Sequence, residues 1–296
     1  MKADGTIERM DDGSVVVEVL DEPWSLDFEG VKCANPDAPT EERIYRRVFR
    51  EKKIYLPGEY DRAVAETIAH PDSFVFSMNG YSRITDEQCR RYGIQPNAYE
   101  EACAAIMRKA ILCLREKFHG AKLQLVYGAS DTGVDKAIEE VAREFNIVPL
   151  GFSCIRYMLY VKDDEIPVFV AGSKDEYADL YIKSLDLLFA TGGREHALQH
   201  DVLAACIYGK RIHFVDILNG LSNTGGVPAT VTDEDGNTRV DNAAAAMGRN
   251  VSFFSREDAV ATTPLGGDRW DAIFMDVASV ATQVCRQKMS PARKFK

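Results

Sequence analysis

Three short stretches of the chain carry groups that could hold an anion, and each follows a short apolar run. The first is Asn79-Gly80-Tyr81-Ser82-Arg83: a glycine that admits a ligand to the backbone, a hydroxyl donor, and a guanidinium able to fork onto phosphate or carboxylate. The second, Gly128-Ala129-Ser130-Asp131-Thr132-Gly133-Val134-Asp135, runs straight into a helical pattern. Free N–H groups of that first turn, with the Ser130 and Thr132 hydroxyls, would cradle a phosphate without a lysine. The third, Thr191-Gly192-Gly193-Arg194-Glu195-His196, opens another helix with two bare glycines and an arginine. A single glycine turn is equally explained by the geometry of a tight strand-to-helix connection. Three at successive strand ends, each with polar donors, favour a ligand. The spacing matches neither G-x-x-x-x-G-K-[ST] nor an ordinary G-x-G-x-x-G, which disfavours ATP hydrolysis and nicotinamide hydride transfer.

The elements around these stretches read as a parallel α/β sheet. Apolar runs at 74–78, 123–127, 147–152, 168–170, 187–190 and 212–215 are short and apolar on both sides, as buried parallel strands are. A helix is expected from Asn97, with Glu100 completing a capping box and Gly120 as the stop; others run through Val134–Phe145, 176–184 and 195–208. The fold class expected is therefore a Rossmann-like, doubly wound parallel α/β sheet over 72–218. Residues 1–71 form an N-terminal extension with a strand near 14–19 and a short charged helix over 42–48. Residues 219–296 supply a flap or oligomer arm with a hairpin turn at Asp235-Gly236 and a last amphipathic helix over 268–288.

With 46 acidic against 36 basic residues the net charge is −10, so duplex nucleic acid and anionic membranes are unsuitable partners. No window approaches the roughly 18 apolar residues of a membrane span, and the start of the chain is charged, so the expected setting is cytoplasmic. Seven cysteines without a C-x-x-C pair read as reduced, buried thiols.

The order strand, Gly80-Tyr81-Ser82-Arg83, strand, Gly128 to Asp135, strand, Ala171-Gly172-Ser173, strand, Gly192-Gly193, then a helix ending in Gly209-Lys210-Arg211 resembles the SLOG superfamily over about residues 72–218. That group includes the lonely-guy phosphoribohydrolases, often misnamed lysine decarboxylases, the DNA-processing protein A fold, and nucleotide-sensing domains. The resemblance implies a Rossmann-like domain for a nucleoside phosphate or ADP-ribose-like ligand, and homo-oligomerisation. It implies a site of Gly80, Tyr81, Ser82, Arg83, Gly128, Ala129, Ser130, Asp131, Thr132, Gly133, Ser173, Gly192, Gly193, Arg194 and His196. The phosphoribohydrolase branch carries P-G-G-x-G-T-x-x-E, whereas here Gln199 stands in the glutamate position and the proline, third glycine and threonine are absent.

That departure weakens catalysis more than binding. A sensor or sequestering protein is the first expectation. The alternative is an N-glycosidase in which Glu195 or Asp201 supplies one carboxylate and Asp131 or Asp135 another, to activate water and steady an oxocarbenium-like centre. A single-stranded DNA binder is a third reading, opposed by the acidic charge. His196 and His200, four residues apart, could face one metal, but no third ligand is apparent; neither a metal nor a resident cofactor is expected. Tyr81, Phe152 and Tyr157 are aromatic candidates for stacking on a base, and Arg156 and Lys174 secondary candidates for phosphate.

Overall fold

The computed structural model describes residues 5–20, 28–68, 73–117, 122–194, 197, 205, 207–215, 217–224, 226–232, 236–242 and 259–260. The expected 195–208 helix lies largely outside these residues, and the 268–288 helix wholly so.

The chain begins with strands β1 (Gly5–Arg9), β2 (Val15–Val19), β3 (Lys32–Cys33) and β4 (Tyr45–Phe49), which form an antiparallel sheet in the order β1-β2-β4-β3. The helix expected over 42–48 is instead largely strand β4. Its residues alternate between buried Tyr45, Arg47, Phe49 and exposed Arg46, Val48, a period of two that overrides the helix-compatible charges. Strand β5 (Ile54–Tyr55) and helix α1 (Tyr60–Thr67) lead to β6 (Ser73–Asn79), α2 (Asp86–Tyr92), α3 (Ala98–Lys117), β7 (Lys122–Tyr127), α4 (Gly133–Glu144), β8 (Leu150–Cys154), β9 (Val168–Ala171), α5 (Lys174–Ser184), β10 (Leu187–Ala190) and β11 (Arg211–Val215). Helix α6 (Ile217–Leu221), the hairpin β12 (Thr230–Thr232) and β13 (Thr238–Val240), and β14 (Ala259–Val260) follow. The third apolar run begins its strand three residues late, at Leu150, because Ile147 is held by the Ala142 carbonyl in the turn that ends α4.

Eight strands form one parallel sheet in the order β14-β11-β10-β6-β7-β8-β9-β5. Alternate residues of its strands serve opposite faces. Phe74, Phe76, Met78, Leu187 and Phe189 pack with α3 and α4, while Val75, Leu188 and Ala190 join Tyr181 and Ile182 of α5 and Ala63 of α1. That double burial explains why the runs lack polar alternation. The fold is thus the α/β, Rossmann-like arrangement expected, with helices on both faces. No helix among the described residues is long and apolar enough to cross a membrane. Asn97 takes a left-handed φ of +64° rather than the extended backbone of a usual N-cap.

From β6 the chain moves outward through β7, β8 and β9, then returns so that β10 lies on the other side of β6. The gap between the β6 and β10 ends is therefore the topological switch point, where an open parallel sheet leaves a crevice.

The N-terminal sheet buttresses one side of that crevice. The Asp163 carboxylate accepts the N–H groups of Arg50, Glu51 and Lys52 at 2.9, 3.0 and 3.0 Å. The nearly buried Lys52 ammonium pairs with Asp164 and donates to the Ile166 carbonyl at 2.8 Å. Arg47, on β4, crosses to donate to the Leu159 carbonyl at 2.5 Å within a 3-10 stretch, Ile155–Tyr160. At the far end, buried Asp241 accepts from the Tyr92 hydroxyl, and the Ser222 hydroxyl donates to the Tyr92 carbonyl at 2.8 Å, so residues 222 and 241 are docked against α2. Replacing Arg47 by Met keeps the stem and removes the donor to Leu159. Stability should fall by about 1–3 kcal/mol, read as a lower denaturation midpoint at unchanged slope; an unchanged midpoint would show that the wall stands without this clasp.

Candidate functional site

At the ends of β6 and β10 a chain of hydrogen bonds runs in one direction. The Tyr81 N–H donates to the Tyr99 hydroxyl at 3.0 Å, and the Thr191 hydroxyl donates to the Asn79 carbonyl at 2.7 Å. Each hydroxyl has one proton, so at 3.0 Å Tyr99 donates to Thr191. Gly80 is required inside this knot, since a Cβ there would lie 1.9 Å from the Tyr99 oxygen. The group approaching this bare backbone is the protein's own tyrosine. Cys103, against the same knot, has its thiol pushed up to about 12 by burial and stays a protonated packing group.

The Gly128–Asp135 turn is likewise satisfied from within. Asp135 accepts from the Gly128 N–H at 2.8 Å, the Ser130 N–H at 3.3 Å and the Ser130 hydroxyl at 2.6 Å. Glu100 of α3 does not complete a capping box; it accepts the Gly133 N–H at 3.0 Å and pairs with Lys136 at 3.4 Å. The Val134 N–H goes to the Tyr81 carbonyl at 3.0 Å, which ties this turn to the end of β6. Gly133 stands at φ +56° with only 2.2 Å between its would-be Cβ and that same carbonyl, so no other residue fits. Of the donors expected to cradle a phosphate, the Gly128, Ser130 and Gly133 N–H groups and the Ser130 hydroxyl therefore point at two carboxylates, whereas the Thr132 hydroxyl is buried without a partner among the described residues. Ala129 holds φ +60°, a left-handed conformation that costs a residue with a Cβ about 1–2 kcal/mol.

Above these turns lies a cavity of about 350 Å³ at the switch point, lined by Gly80, Ser82, Arg83, Asp135, Arg194 and their neighbours. Of the residues expected from sequence, Gly80, Tyr81, Ser82, Arg83, Gly128, Ser130 and Arg194 line it. Ala129, Asp131, Thr132, Gly133, Ser173, Gly192 and Gly193 are not among the residues that line it. Asp131 is paired with Lys162, and Ser173 caps α5 by accepting the Glu176 N–H at 3.2 Å. Gly192 passes against the Tyr81 ring. Glu195, His196 and Asp201 lie outside the described residues. Among the described residues no group of three His, Cys, Asp or Glu is placed to hold a metal, and the described cysteines form no disulfide.

Sequence reasoning missed most of the aromatic wall. Tyr157, Tyr160, Tyr177 and Tyr181 all face the cavity. Tyr177 and Tyr181 are stacked at 6.0 Å with planes 13° apart, and Tyr157 meets Tyr177 edge-on at 6.4 Å. The Tyr181 hydroxyl is fixed to Ser77 of β6 at 2.5 Å. The signal was the i, i+4 spacing of Tyr177 and Tyr181, which puts both on one face of α5. Phe152, by contrast, is fully buried between Phe169 and Tyr181 and serves the core. Arg83, Lys174 and Arg194 supply the cationic groups of the lining, with Arg194 also donating to Gln88 at 3.0 Å.

Asp135 is the carboxylate among the lining residues, and burial pushes it up to about 6. No family model matches the chain, and no curated protein matches it. Among solved structures it is similar to the molybdenum cofactor carrier protein of Chlamydomonas reinhardtii, at 12% identity over 71% of this chain and 99% of that one, with a TM-score of 0.42. A molybdenum cofactor binding protein from the phototrophic bacterium Rippkaea orientalis matches at 15% identity over 48% and 75%, TM-score 0.33, and the X-ray structure of TM1055 at 13% over 72% and 99%, TM-score 0.38.

Two measurements test this geometry. Tyr99→Phe leaves the buried Tyr81 N–H without an acceptor, and should cost about 1–3 kcal/mol in chemical denaturation; an unchanged midpoint would break the proposed chain of donors. Because folding raises Asp135, the native state holds its proton more tightly than the unfolded chain, so its favourable contribution is complete below pH 4 and is lost as pH rises through 6. The stability of the unaltered protein relative to Asp135→Asn should therefore fall by about 2 kcal/mol between pH 4 and 7. Parallel pH profiles would refute it.

Proposed function

We propose that the cleft at the switch point binds a nucleotide-derived small molecule, with its flat base on the tyrosine wall and its phosphates at Arg83, Lys174 and Arg194. The observation that carries this reading is the pairing of a tyrosine wall with cationic groups around a single cavity of nucleotide size. Sequestering or sensing such a molecule suits the site better than hydrolysing it. Among the described residues, the carboxylates expected to activate water are otherwise engaged: Asp131 pairs with Lys162 outside the lining, and Asp135 holds the turn together. Membership of the SLOG superfamily, with the homo-oligomerisation it implies, belongs to the same proposal, supported by the succession of glycine turns in the sequence over 72–218, and a cytoplasmic setting is proposed with it.

Isothermal titration against AMP, NAD, ADP-ribose, a pterin phosphate and a short single-stranded DNA tests it, with chromatography of each mixture for released base. AMP or ADP-ribose should bind with a Kd of about 1–100 μM, roughly −5 to −8 kcal/mol, and no base should appear. Tyr177→Ala, removing a stacking face, and Arg83→Ala, removing a charged donor, should each weaken binding about tenfold. Preference for the pterin phosphate would replace the nucleotide by another flat heterocycle. Base release would make the protein an N-glycosidase, and preference for DNA would favour the DNA-processing reading. Silence from the whole panel would overturn ligand binding at this cleft.

A further inference from the structure

We infer that Asp135 is a specificity-determining residue of this cleft: its carboxylate receives a hydrogen bond from the ligand, a ribose hydroxyl or a base N–H, and so directs the phosphates away from the Gly128–Gly133 turn toward Arg83, Lys174 and Arg194. The inference rests on the nucleotide reading above and reverses the orientation that the glycine turn suggests. Apart from the Thr132 hydroxyl, which is buried and not among the residues that line the cavity, a phosphate seated on that turn would need the Gly128 N–H, the Ser130 N–H and hydroxyl, and the Gly133 N–H. The first three end on Asp135 and the fourth on Glu100, so an anion arriving there meets carboxylates at hydrogen-bond range instead of donors. Other charges around Asp135 add to this. Glu139, one turn along α4, is buried and raises Asp135 further, although it is paired with Arg143; Tyr127 approaches from β7, and Lys136 is taken by Glu100. Asp131 and Lys162 largely cancel one another beside the turn.

The remaining valence of Asp135 points the same way. Oδ2 accepts two hydrogen bonds and Oδ1 accepts one, while each carboxylate oxygen has room for about two. Oδ1 therefore keeps one acceptor position in a residue that lines the cavity. A ligand hydroxyl or N–H can fill it; a phosphate oxygen cannot.

The sign of a pH dependence decides the orientation. ADP-ribose is the probe, because both its phosphates stay ionised from pH 5 to 8 and any slope belongs to the protein. The ionised carboxylate accepts a ligand donor more strongly than the neutral acid does, so with Asp135 near 6 the affinity should rise by up to about tenfold between pH 5 and 7 and level off above that, following the ionised fraction. Titrations use the full-length protein at constant ionic strength. Asp135→Asn should remove the slope and weaken binding about tenfold at pH 7.5, whereas Glu140→Gln, exposed on the same helix, should change neither. The slope of the unaltered protein keeps the test independent of whether Asp135→Asn folds. Affinity that falls with pH would put the phosphate at the turn and overturn the inference, and a flat profile would overturn it as well, in both cases with the nucleotide reading intact. Absence of ADP-ribose binding at every pH would overturn both together.

Discussion

At the centre of the sheet, β6 and β10 lie side by side, and a backbone leaving their ends must find partners for its N–H and C=O groups before it can line a cleft. The run from the Tyr81 N–H through Tyr99 and Thr191 to the Asn79 carbonyl meets that requirement. Because it joins two neighbouring strand ends to α3, it fixes the two sides of the switch point relative to one another. The Val134 N–H on the Tyr81 carbonyl extends the same constraint to the start of α4. The glycine-turn side of the cavity hangs from these few bonds.

The glycines take on a different meaning in this light. In sequence they look like openings for a ligand. In the folded protein the Tyr99 oxygen occupies the space above Gly80, and the Tyr81 carbonyl that above Gly133. Carboxylates do the same for the donors of the second turn, at the cost of keeping Asp135 desolvated. A turn whose donors are met internally is rigid and preorganised, and its charge has the opposite sign from an empty phosphate cradle. What the cleft offers an anion instead is a set of basic side chains, Arg83, Lys174 and Arg194.

The N-terminal segment, which shows no chemistry of its own, has a positional role. Arg47 and Lys52 reach from it to the carbonyls of Leu159 and Ile166, and Asp163 gathers three N–H groups in return. The 3-10 stretch that contains the first of these anchors, Leu159, and directly precedes the others carries Tyr157 and Tyr160 to the cavity. Part of the aromatic wall is thus held by a sheet that precedes the α/β core in the chain, and sequence inspection of residues 155–160 alone gives no hint of it.

The sequence by itself determined the parallel sheet, because short runs apolar on both sides are stable only between two helical layers, and it placed the three turns at the ends of β6, β7 and β10. It also brought Gly80, Ser82, Arg83, Gly128, Ser130 and Arg194 to the cleft, since a strand end and the start of the next helix are local features. Local pattern failed at β4, where charged residues that suit a helix turned out to alternate across an antiparallel pair. Only the tertiary structure decided which partners the turns would have. Asp135 reaching back to Gly128, Glu100 crossing from α3 to Gly133, and Tyr157 meeting Tyr177 are contacts between segments that no local periodicity relates. Hydrogen-bond partners and ring stacking depend on side-chain positions to within about an ångström, and such positions exist only once the strands have been ordered around the switch point.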